Sequence, residues 1–467
     1  MFILNIEDAI STVNGYINDV VWGPIMIAFI LGTGLFLSIR LGFLQITKIK
    51  EIFKQTFGKF FAKGEGKGLV SSAEAALVSM GEIVGSGNIA GVATAVASGG
   101  PGAIVWMWIA AFFGMAIKYS EIVLGLLFRR TDANGNVKGG PMYYIRDGVG
   151  SKFLAGFYAV MGLLSYIVIV AMVDTNTIVN AVQAEANVSA WIIAAILVVI
   201  VGAVIFGGLK RIGKFSKWIV PIMGLSYILC GLVVIITKSN LVGDAFVTIF
   251  KSAFSAQAAA GGFAGAAITE IMRYGFARGI YSNEAGLGTA AYAHSAAETK
   301  EPAKQALWGP VEVFIDTIII NTITGLIVTM SGLWTAVAAD GSQLTGAALV
   351  MRAFKEMFPV GGNIIIMIES MMFSFTCLVS ASYVCEESAE YLFGTKSKVF
   401  VKIFWLVFIV IGAVTELELV WDLADTVNGL MLIPNLIALL VLSGKVVKEK
   451  KDYFKTGLFA KLFKKEA

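Results

Sequence analysis

Long apolar runs alternate with short polar segments along most of the chain. A helix that crosses a membrane needs about 20 predominantly apolar residues, and by this criterion the pattern predicts eleven spans. Their predicted bounds are 18–39, 69–98, 101–128, 153–180, 188–208, 216–237, 244–276, 305–337, 361–391, 399–415 and 418–443. The pattern therefore predicts an all-α integral membrane protein.

The polar segments carry an asymmetric charge that predicts the orientation. Of the 36 Lys and Arg residues, 31 fall after spans 1, 3, 5, 7 and 9 or in the C-terminal tail. These basic segments are 40–67, 129–152, 210–217, 273–304, 396–402 and 445–465. Because basic residues concentrate on the cytoplasmic side of membrane proteins, we expect a plasma-membrane protein with its N-terminus outside and its C-terminus in the cytoplasm.

Two of the predicted spans are interrupted by glycines and polar residues. Span 2 contains GEIVGSGNIAG from Gly81 to Gly91, and span 7 contains AAAGGFAGAA from Ala258 to Ala267. Glycine costs about 1 kcal/mol relative to alanine inside a helix, and Glu82 or Asn88 would be unfavourable facing lipid. We therefore predict that both helices unwind here. The half-helix that begins near Asn88 would direct its partly positive N-terminus at an anionic group.

Paired glycine-interrupted spans in corresponding positions are typical of secondary transporters built from inverted repeats. Without the first span ten remain, and a repeated unit of five must place its second copy upside down because five is odd. We predict a single membrane domain over 1–443. It comprises an extra first span (18–39), a first repeat (69–237) and a second repeat (244–443), and a basic cytoplasmic tail (444–467) follows it.

Composition agrees with a membrane protein and narrows the function classes. Hydrophobic residues make up 57% of the chain and charged residues 15%, against about a quarter charged in soluble domains. The three cysteines lie in apolar runs and are expected to be core residues. Since His294 is the single histidine and no HExxH motif or Ser–His pairing is present, we exclude an intramembrane enzyme. No cleavable signal peptide and no nucleic-acid partner are expected.

The interrupted spans have two interpretations other than transport, namely helix packing and a channel. The GNIAG spacing of Gly87 and Gly91 is also a small-xxx-small helix-packing motif. A channel would need a continuous polar lining with repeated rings of charge, whereas the sequence has isolated acids. The second interrupted span makes transport the favoured interpretation.

Several charged residues inside the predicted spans need partners. Lys118 and Glu121 stand three residues apart and are expected to pair on one helical face. Glu312 and Asp316 stand four apart, and we expect them to form hydrogen bonds with the neighbouring interrupted helix. Asp174 lies either in a pocket or at the extracellular water boundary.

The polar segment that follows span 7 is too rich in glycine to cross the membrane. In this segment we expect Ser282, Asn283 and Glu284 to cap a helix that starts there. The C-terminal tail places phenylalanines among lysines, so it is either an amphipathic helix on the inner leaflet or a solvated segment.

Four stretches carry a family resemblance. They are GSGNIAGVATAVASGGPGAIVWMW (Gly85 to Trp108), GGPMYYI (Gly139 to Ile145), RGIYSNEAGLGTAAYAH (Arg278 to His294) and the pair Asp316-Thr317. These stretches resemble the alanine or glycine:cation symporters, and the resemblance runs over nearly all of the chain. It implies a leucine-transporter-like 5+5 inverted repeat preceded by one extra helix, and sodium-coupled uptake of a small neutral amino acid without a chemical reaction.

The same resemblance implies binding residues. Those for the substrate are Gly85, Ser86, Gly87, Asn88, Asp174, Gly261, Gly262, Phe263 and Ala381. The N–H groups of Ser86 and Gly87 would hold the substrate carboxylate, since glycine lets the backbone approach a ligand closely. The implied sodium site consists of the Gly81, Val84 and Phe373 carbonyls, the Thr376 hydroxyl and Cys377. The Ile83 carbonyl and the Asn88 side chain resemble a second sodium site.

Three positions depart from the family and bear on the substrate. The family usually has a glutamine at the position of Asp174, a tryptophan at that of Ala381 and no acid at that of Glu82. A tryptophan buries on the order of 200 Å², so its absence would enlarge the pocket, and Asp174 would favour an amide or cationic group. We expect alanine, glycine or a larger or amide-bearing amino acid as substrate, sodium as coupling ion, the bilayer as partner and a monomer. Proton coupling and transport of another amino acid stay open.

Overall fold

The computed structural model describes residues 2–62, 64–131, 137–254, 264–338, 341–415 and 418–463. The α-helices in this part of the chain are α1 (Phe2–Val21), α2 (Pro24–Arg40), α3 (Leu44–Thr47), α4 (Ile49–Gln55), α5 (Ser72–Ile83), α6 (Val92–Gly99), α7 (Ala103–Leu127), α8 (Pro141–Tyr144), α9 (Lys152–Leu164), α10 (Ala171–Glu185), α11 (Ala190–Ile205), α12 (Gly208–Thr237), α13 (Ser239–Phe254), α14 (Ala264–Asn283), α15 (Ala290–Ser295), α16 (Pro302–Gln305), α17 (Trp308–Val313), α18 (Thr322–Ser331), α19 (Gly346–Met357), α20 (Gly362–Ser380), α21 (Ser382–Phe393), α22 (Ser397–Val414) and α23 (Glu418–Phe463).

Short helical segments with wider (π) or tighter (3-10) turns than an α-helix join several of these helices. π-helical segments lie at Gly87–Gly91, Ile145–Val149, Ser165–Val170 and Phe314–Asn321, and 3-10 turns at Phe57–Lys59 and Leu333–Thr335. A short antiparallel hairpin pairs β1 (Arg130–Thr131) with β2 (Val137–Lys138). Because a π segment follows an i→i+5 pattern, it rotates the residues after it relative to a regular helix.

The prediction of an all-α membrane protein is confirmed. Among the described residues, seven helices are long and apolar enough to cross a membrane, or up to nine if each of two bent pairs counts as one span. The first pair bends by 41° between α1 and α2, where Pro24 begins α2 after Gly23. The predicted fifth span appears as the shorter apolar helix α11. The count of eleven stays a prediction.

Two helices are described in the region of the predicted seventh span. α13 ends at Phe254 and α14 begins at Ala264. The glycines predicted to interrupt this span, Gly261 and Gly262, lie outside the described residues together with Phe263. α14 continues to Asn283, well into the predicted cytoplasmic segment.

The expected helix start at residues 282–284 is wrong. α14 ends at Asn283, Glu284 adopts a left-handed φ of 56°, and the next helix begins at Ala290. The polar side chains here form tertiary contacts instead: Ser282 Oγ donates to Asp316 Oδ2 at 2.9 Å and Asn283 Nδ2 donates to Thr317 Oγ1 at 2.9 Å.

The basic segments meet at one end of the molecule. Arg40 donates to Ser443, Lys48 lies over the Phe454 ring, Glu65 N–H donates to Glu298 O, Arg129 donates to Ala297 O, Lys138 pairs with Glu390, Lys217 pairs with Glu74, and Lys398 pairs with Glu387 and Glu390. These contacts agree with an alternating path in which every second loop lies on the same side.

The expected pairing of Lys118 with Glu121 is also wrong. Lys118 is fully buried and lies 3.5 Å from Glu312 Oε2, while its Nζ donates to Asn283 O at 2.9 Å. Glu121 instead accepts from the Gly286 and Gly288 N–H groups at 2.8 and 3.0 Å. Lys118 and Glu121, which lie on one turn of α7, thus contact two different parts of the fold.

We expect Lys118→Met to destabilise the protein strongly, because it leaves the buried Glu312 carboxylate without its lysine. Breaking a buried ion pair from one side costs about 3–5 kcal/mol. The control is Arg130→Met, since Arg130 forms an ion pair with Asp147 at 2.7 Å but is 54% exposed, and exposed pairs contribute about 0–1 kcal/mol. Thermal unfolding in detergent, followed by fluorescence, measures both. Equal midpoints for the two variants would contradict the role of Lys118.

Candidate functional site

Helix α5 and the half-helix that follows it are separated by a true break. α5 ends at Ile83, regular structure resumes at Gly87, and the two halves bend by 48°. Asn88 closes the break, since its Oδ1 accepts from the Gly85 N–H at 2.9 Å. The predicted interruption of span 2 is confirmed.

The Asn88 amide also joins the break to a neighbouring helix. Its Nδ2 lies 2.7 Å from Asp316 Oδ1, 2.8 Å from Asn321 Oδ1 and 3.0 Å from Ser282 Oγ. An amide nitrogen has two protons, so it can donate a full hydrogen bond to only two of these three oxygens. The expectation that Asp316 bonds to the interrupted helix is therefore correct.

Sequence reasoning missed Asn321 as a member of this cluster. Asn321 follows Asp316 by five residues, and both lie in the π segment Phe314–Asn321. A reading based on the 3.6-residue period of an α-helix does not place such residues on one face. The available signal was an unexplained buried polar residue in an apolar span, which calls for a partner.

Glu312, four residues before Asp316, anchors the other half of the broken helix. Its Oε2 accepts from Ser79 Oγ at 2.8 Å, and its Oε1 lies 2.7 Å from His294 Nε2. The other ring nitrogen of His294 lies 2.9 Å from Gln305 Nε2. The only histidine of the chain is thus committed to a structural network.

Asp174 lies at the break and not at a water boundary. It is 2% exposed, and its Oδ1 accepts from the Ser86 N–H at 3.3 Å. A Cβ added at Gly85 would lie 3.6 Å from the same Oδ1 and 3.3 Å from Cys377 Cβ. The structure therefore brings Gly85, Ser86 and Asp174 together, and of the two alternatives for Asp174 it favours the pocket.

Gly87 faces a different neighbour. A Cβ at this position would lie 3.2 Å from both the Tyr281 ring and Ser282 Cα. A side chain at this position would therefore press closely against α14, apart from any role of the glycine in holding a ligand.

The predicted sodium ligands lie where α20 crosses α5. A Cβ on Gly81 would lie 2.8 Å from Thr376 Cγ2 and 2.7 Å from Ser380 Oγ. Cys377 Sγ donates to the Glu82 carbonyl at 3.2 Å, and Phe373 is fully buried beside them. Carbonyl and hydroxyl oxygens are the ligands that hard cations prefer. Ser380 Oγ lies next to Gly81, whereas Thr376 turns its methyl group toward Gly81 and donates its hydroxyl to Met372 O at 2.7 Å.

A small cavity of about 20 Å³ adjoins the break. The predicted residues that line it are Ile83, Gly85, Ser86, Gly87, Asp174 and Cys377, and the others are Glu82, Ser165, Tyr166, Val170, Tyr281, Glu284 and Asn428. This volume holds about one water molecule and is well below the about 300–1,000 Å³ typical of small-molecule sites, so an amino acid would enter only after the surrounding helices move apart. Ala381 is not in the lining; it is fully buried at the junction of α20 and α21.

Three carboxyl groups line this cavity, from Glu82, Asp174 and Glu284. Glu284 Oε1 accepts from the Tyr166 hydroxyl at 2.9 Å, and its Oε2 accepts from Thr289 Oγ1 at 2.5 Å. Sequence reasoning assigned no site role to Glu284 or Tyr166, because their proximity to the break depends on how α14 packs.

Comparisons with known proteins agree with this arrangement. The profile of the sodium:alanine symporter family matches residues 7–462. The chain is 43% identical over 454 residues to the sodium/alanine symporter AgcS of Methanococcus maripaludis, covering 96% of this chain and 97% of that protein. It is 36% identical over 448 residues to the "Probable sodium/glutamine symporter GlnT" of Bacillus subtilis, covering 96% and 91%.

A solved structure shares the fold. The crystal structure of MhsT in complex with L-phenylalanine matches with a TM-score of 0.58 over 83% of this chain and 93% of that one, at 12% identity. The structure is thus that of a leucine-transporter-like protein. Because the family profile and the relatives span nearly the whole chain, this protein belongs to the sodium:alanine symporter family.

Proposed function

We propose that the protein takes up an amino acid by sodium-coupled symport, with the substrate bound in the cavity at the break between α5 and the π segment Gly87–Gly91. The observation that carries this proposal is the unwound stretch itself. Within it, Gly85 and Ser86 offer backbone groups to a buried cavity, and such broken helices hold substrates and ions in secondary transporters. The protein is a transporter and not an enzyme, as its relatives are named.

The substrate carboxylate would contact the N–H groups of Ser86 and Gly87, taking the place of the Asp174 Oδ1 that accepts from the Ser86 N–H in this structure, with Asn88 holding the break in shape. Both Ser86 and Gly87 line the cavity. The half-helix that starts there has its partly positive end toward the carboxylate. The other substrate-binding residues proposed are Gly85, Asp174, Gly261, Gly262, Phe263 and Ala381, of which Gly85 and Asp174 line the cavity.

The coupling sodium would bind between α5 and α20. The Gly81, Val84 and Phe373 carbonyls with the Thr376 hydroxyl supply hard oxygen atoms, and Cys377 lies beside them. Asn88 and the Ile83 carbonyl would form a second cation site, in which Asn88 Oδ1 would bind the ion in place of the Gly85 N–H from which it accepts in this structure. Each site contacts the break, so an ion bound there favours the conformation that binds substrate.

The remaining parts of the proposal concern architecture. We propose eleven spans, an inverted repeat of two five-helix units, and alternating exposure of the cavity as the two units rock. The N-terminus would lie outside and the C-terminus in the cytoplasm, which the shared location of the basic segments supports. The functional unit would be a monomer in the plasma membrane.

Uptake into proteoliposomes tests the proposed function directly. Purified protein would be reconstituted, and accumulation of radiolabelled alanine, glycine and glutamine measured with an inward sodium gradient. We expect accumulation with sodium and little with potassium in its place. Accumulation driven equally well by a proton gradient without sodium would replace sodium with the proton as coupling ion, and none with either ion would refute symport.

Thr376→Ala should weaken sodium coupling. The substitution removes one hydroxyl oxygen from the proposed site, so we expect the sodium concentration for half-maximal uptake to rise about tenfold, while Thr376→Ser retains coupling. A matched control is Thr329→Ala: both hydroxyls donate to the carbonyl four residues earlier at 2.7 Å, but Thr329 lies on α18, away from the site. Unchanged sodium activation in a folded Thr376→Ala protein would remove Thr376 from the ion site.

Gly85→Ala should impair substrate binding because it adds a methyl group between Cys377 and Asp174 at the carboxylate cradle. We expect at least about a tenfold rise in the substrate concentration for half-maximal uptake. Gly91→Ala serves as the control, since a Cβ there would have Arg278 Cδ as its nearest neighbour at 4.0 Å. Size-exclusion chromatography checks folding of both. If the two variants take up alanine equally well, the cradle does not lie at Gly85.

A further inference from the structure

The three carboxyl groups around the cavity are not equivalent. Asp174 accepts from the Ser86 N–H at 3.3 Å, so it helps to hold the unwound segment. Glu284 has a donor for each oxygen, Tyr166 for one and Thr289 for the other. These two acids therefore already have partners within the protein.

Glu82, which also contacts Tyr166, differs from them because one of its oxygens has no donor in the described ranges. It is 3% exposed and lines the same cavity, yet its Oε1 is buried and has no hydrogen-bond partner among the residues that the structure describes. The basic group that is buried nearest in the network, Lys118, already donates to Asn283 O and pairs with Glu312. A buried carboxyl oxygen without a donor is unfavourable, so this oxygen is available to a ligand.

The position of Glu82 suits the side chain of a bound amino acid. Glu82 lies four residues before Ser86, across the end of α5 at Ile83, and both residues line the same cavity. A substrate whose carboxylate contacts the Ser86 and Gly87 N–H groups would thus have Glu82 within reach of its side chain. Ser165, Tyr166 and Asn428 make the surrounding wall partly polar.

We propose that Glu82 binds the nitrogen donor at the end of the substrate side chain and thereby selects amino acids that carry an amide or an ammonium group. This inference rests on the proposed function and assigns its substrate class. This role was expected of Asp174 and is assigned here to Glu82, because Glu82 Oε1 has no hydrogen-bond partner in the described part of the chain. Three carboxyl groups on one cavity would also repel a substrate with a side-chain carboxylate.

Competition against radiolabelled alanine uptake in proteoliposomes tests the proposal. In the unmodified protein we expect glutamine or lysine to inhibit at a concentration about tenfold lower than methionine, which has similar length but no donor, and glutamate to inhibit weakly. Inhibition by methionine that equals inhibition by both glutamine and lysine would overturn the proposal.

Variants at position 82 distinguish an amide from an ammonium group as the donor on the substrate side chain. Glu82→Met should raise the inhibitory concentration of glutamine or lysine relative to that of alanine by about tenfold or more. Glu82→Gln keeps an acceptor oxygen but loses the negative charge. If the substrate donor is an amide, inhibition by glutamine should be unchanged. If the donor is an ammonium group, inhibition by lysine should become weaker. Unchanged ratios in Glu82→Met would refute a role for Glu82.

Glu369→Met is the matched control. Glu369 is also 3% exposed, and its Oε2 is buried without a hydrogen-bond partner within the described ranges, but it does not line the cavity. We expect this variant to leave the ratio of inhibitory concentrations unchanged. A change equal to that of Glu82→Met would show that loss of any buried acid has the same effect, which would overturn the proposal.

Ligand-induced thermal stabilisation in detergent separates this inference from the proposed function. Glutamine or lysine should stabilise the unmodified protein more than methionine does, and Glu82→Met should lose this difference even if it transports poorly. If the unmodified protein shows no sodium-driven uptake while this stabilisation is present, symport fails and the binding role of Glu82 stands. If alanine uptake is present while neither glutamine nor lysine stabilises the protein, only the inference fails.

Discussion

The break in the first interrupted helix is the constraint on which the rest of the structure depends. Backbone N–H and C=O groups at membrane depth cannot be satisfied by lipid, so each needs a partner from protein, water or ligand. Here one side chain does much of this, since Asn88 accepts from the Gly85 N–H and donates toward Asp316. The break is therefore held from two sides, by its own chain and by the helix that contains Asp316.

Buried charge is arranged to support this break. Glu312 contacts Ser79 on the first half of the broken helix, and it also contacts His294 and Lys118. Charges inside a membrane protein are costly unless they are paired. In this network the Glu312 carboxylate contacts both the His294 ring and the Lys118 ammonium group. As a result, α5, α7 and the segment around His294 are joined at one point, which limits the ways in which they can move independently.

The chemistry of the cavity depends on which of its polar groups have no hydrogen-bond partner in the described part of the protein. Asp174 and Glu284 are occupied by protein donors, whereas one oxygen of Glu82 has no partner in the described part of the chain. Substrate and coupling ion would meet at the same few residues, because the Glu82 carbonyl bonds to Cys377 on α20 while the side chain lines the cavity. Such proximity is what coupling requires, since binding at one site then changes the geometry of the other.

The sequence by itself determined the helical membrane class, the family, and the place where span 2 unwinds. The membrane class and the break follow from local composition, namely long apolar runs and glycines beside Glu82 and Asn88, whereas the family follows from the resemblance of long motifs such as the one from Gly85 to Trp108. Only the tertiary structure decided the partners. Lys118 pairs with Glu312 instead of Glu121, and Asn321 joins Asn88, because pairing depends on helix rotation and on the π segment Phe314–Asn321. Residues 233 positions apart in sequence, such as Asn88 and Asn321, carry no periodic signal of their contact, so their meeting follows only from how the helices pack.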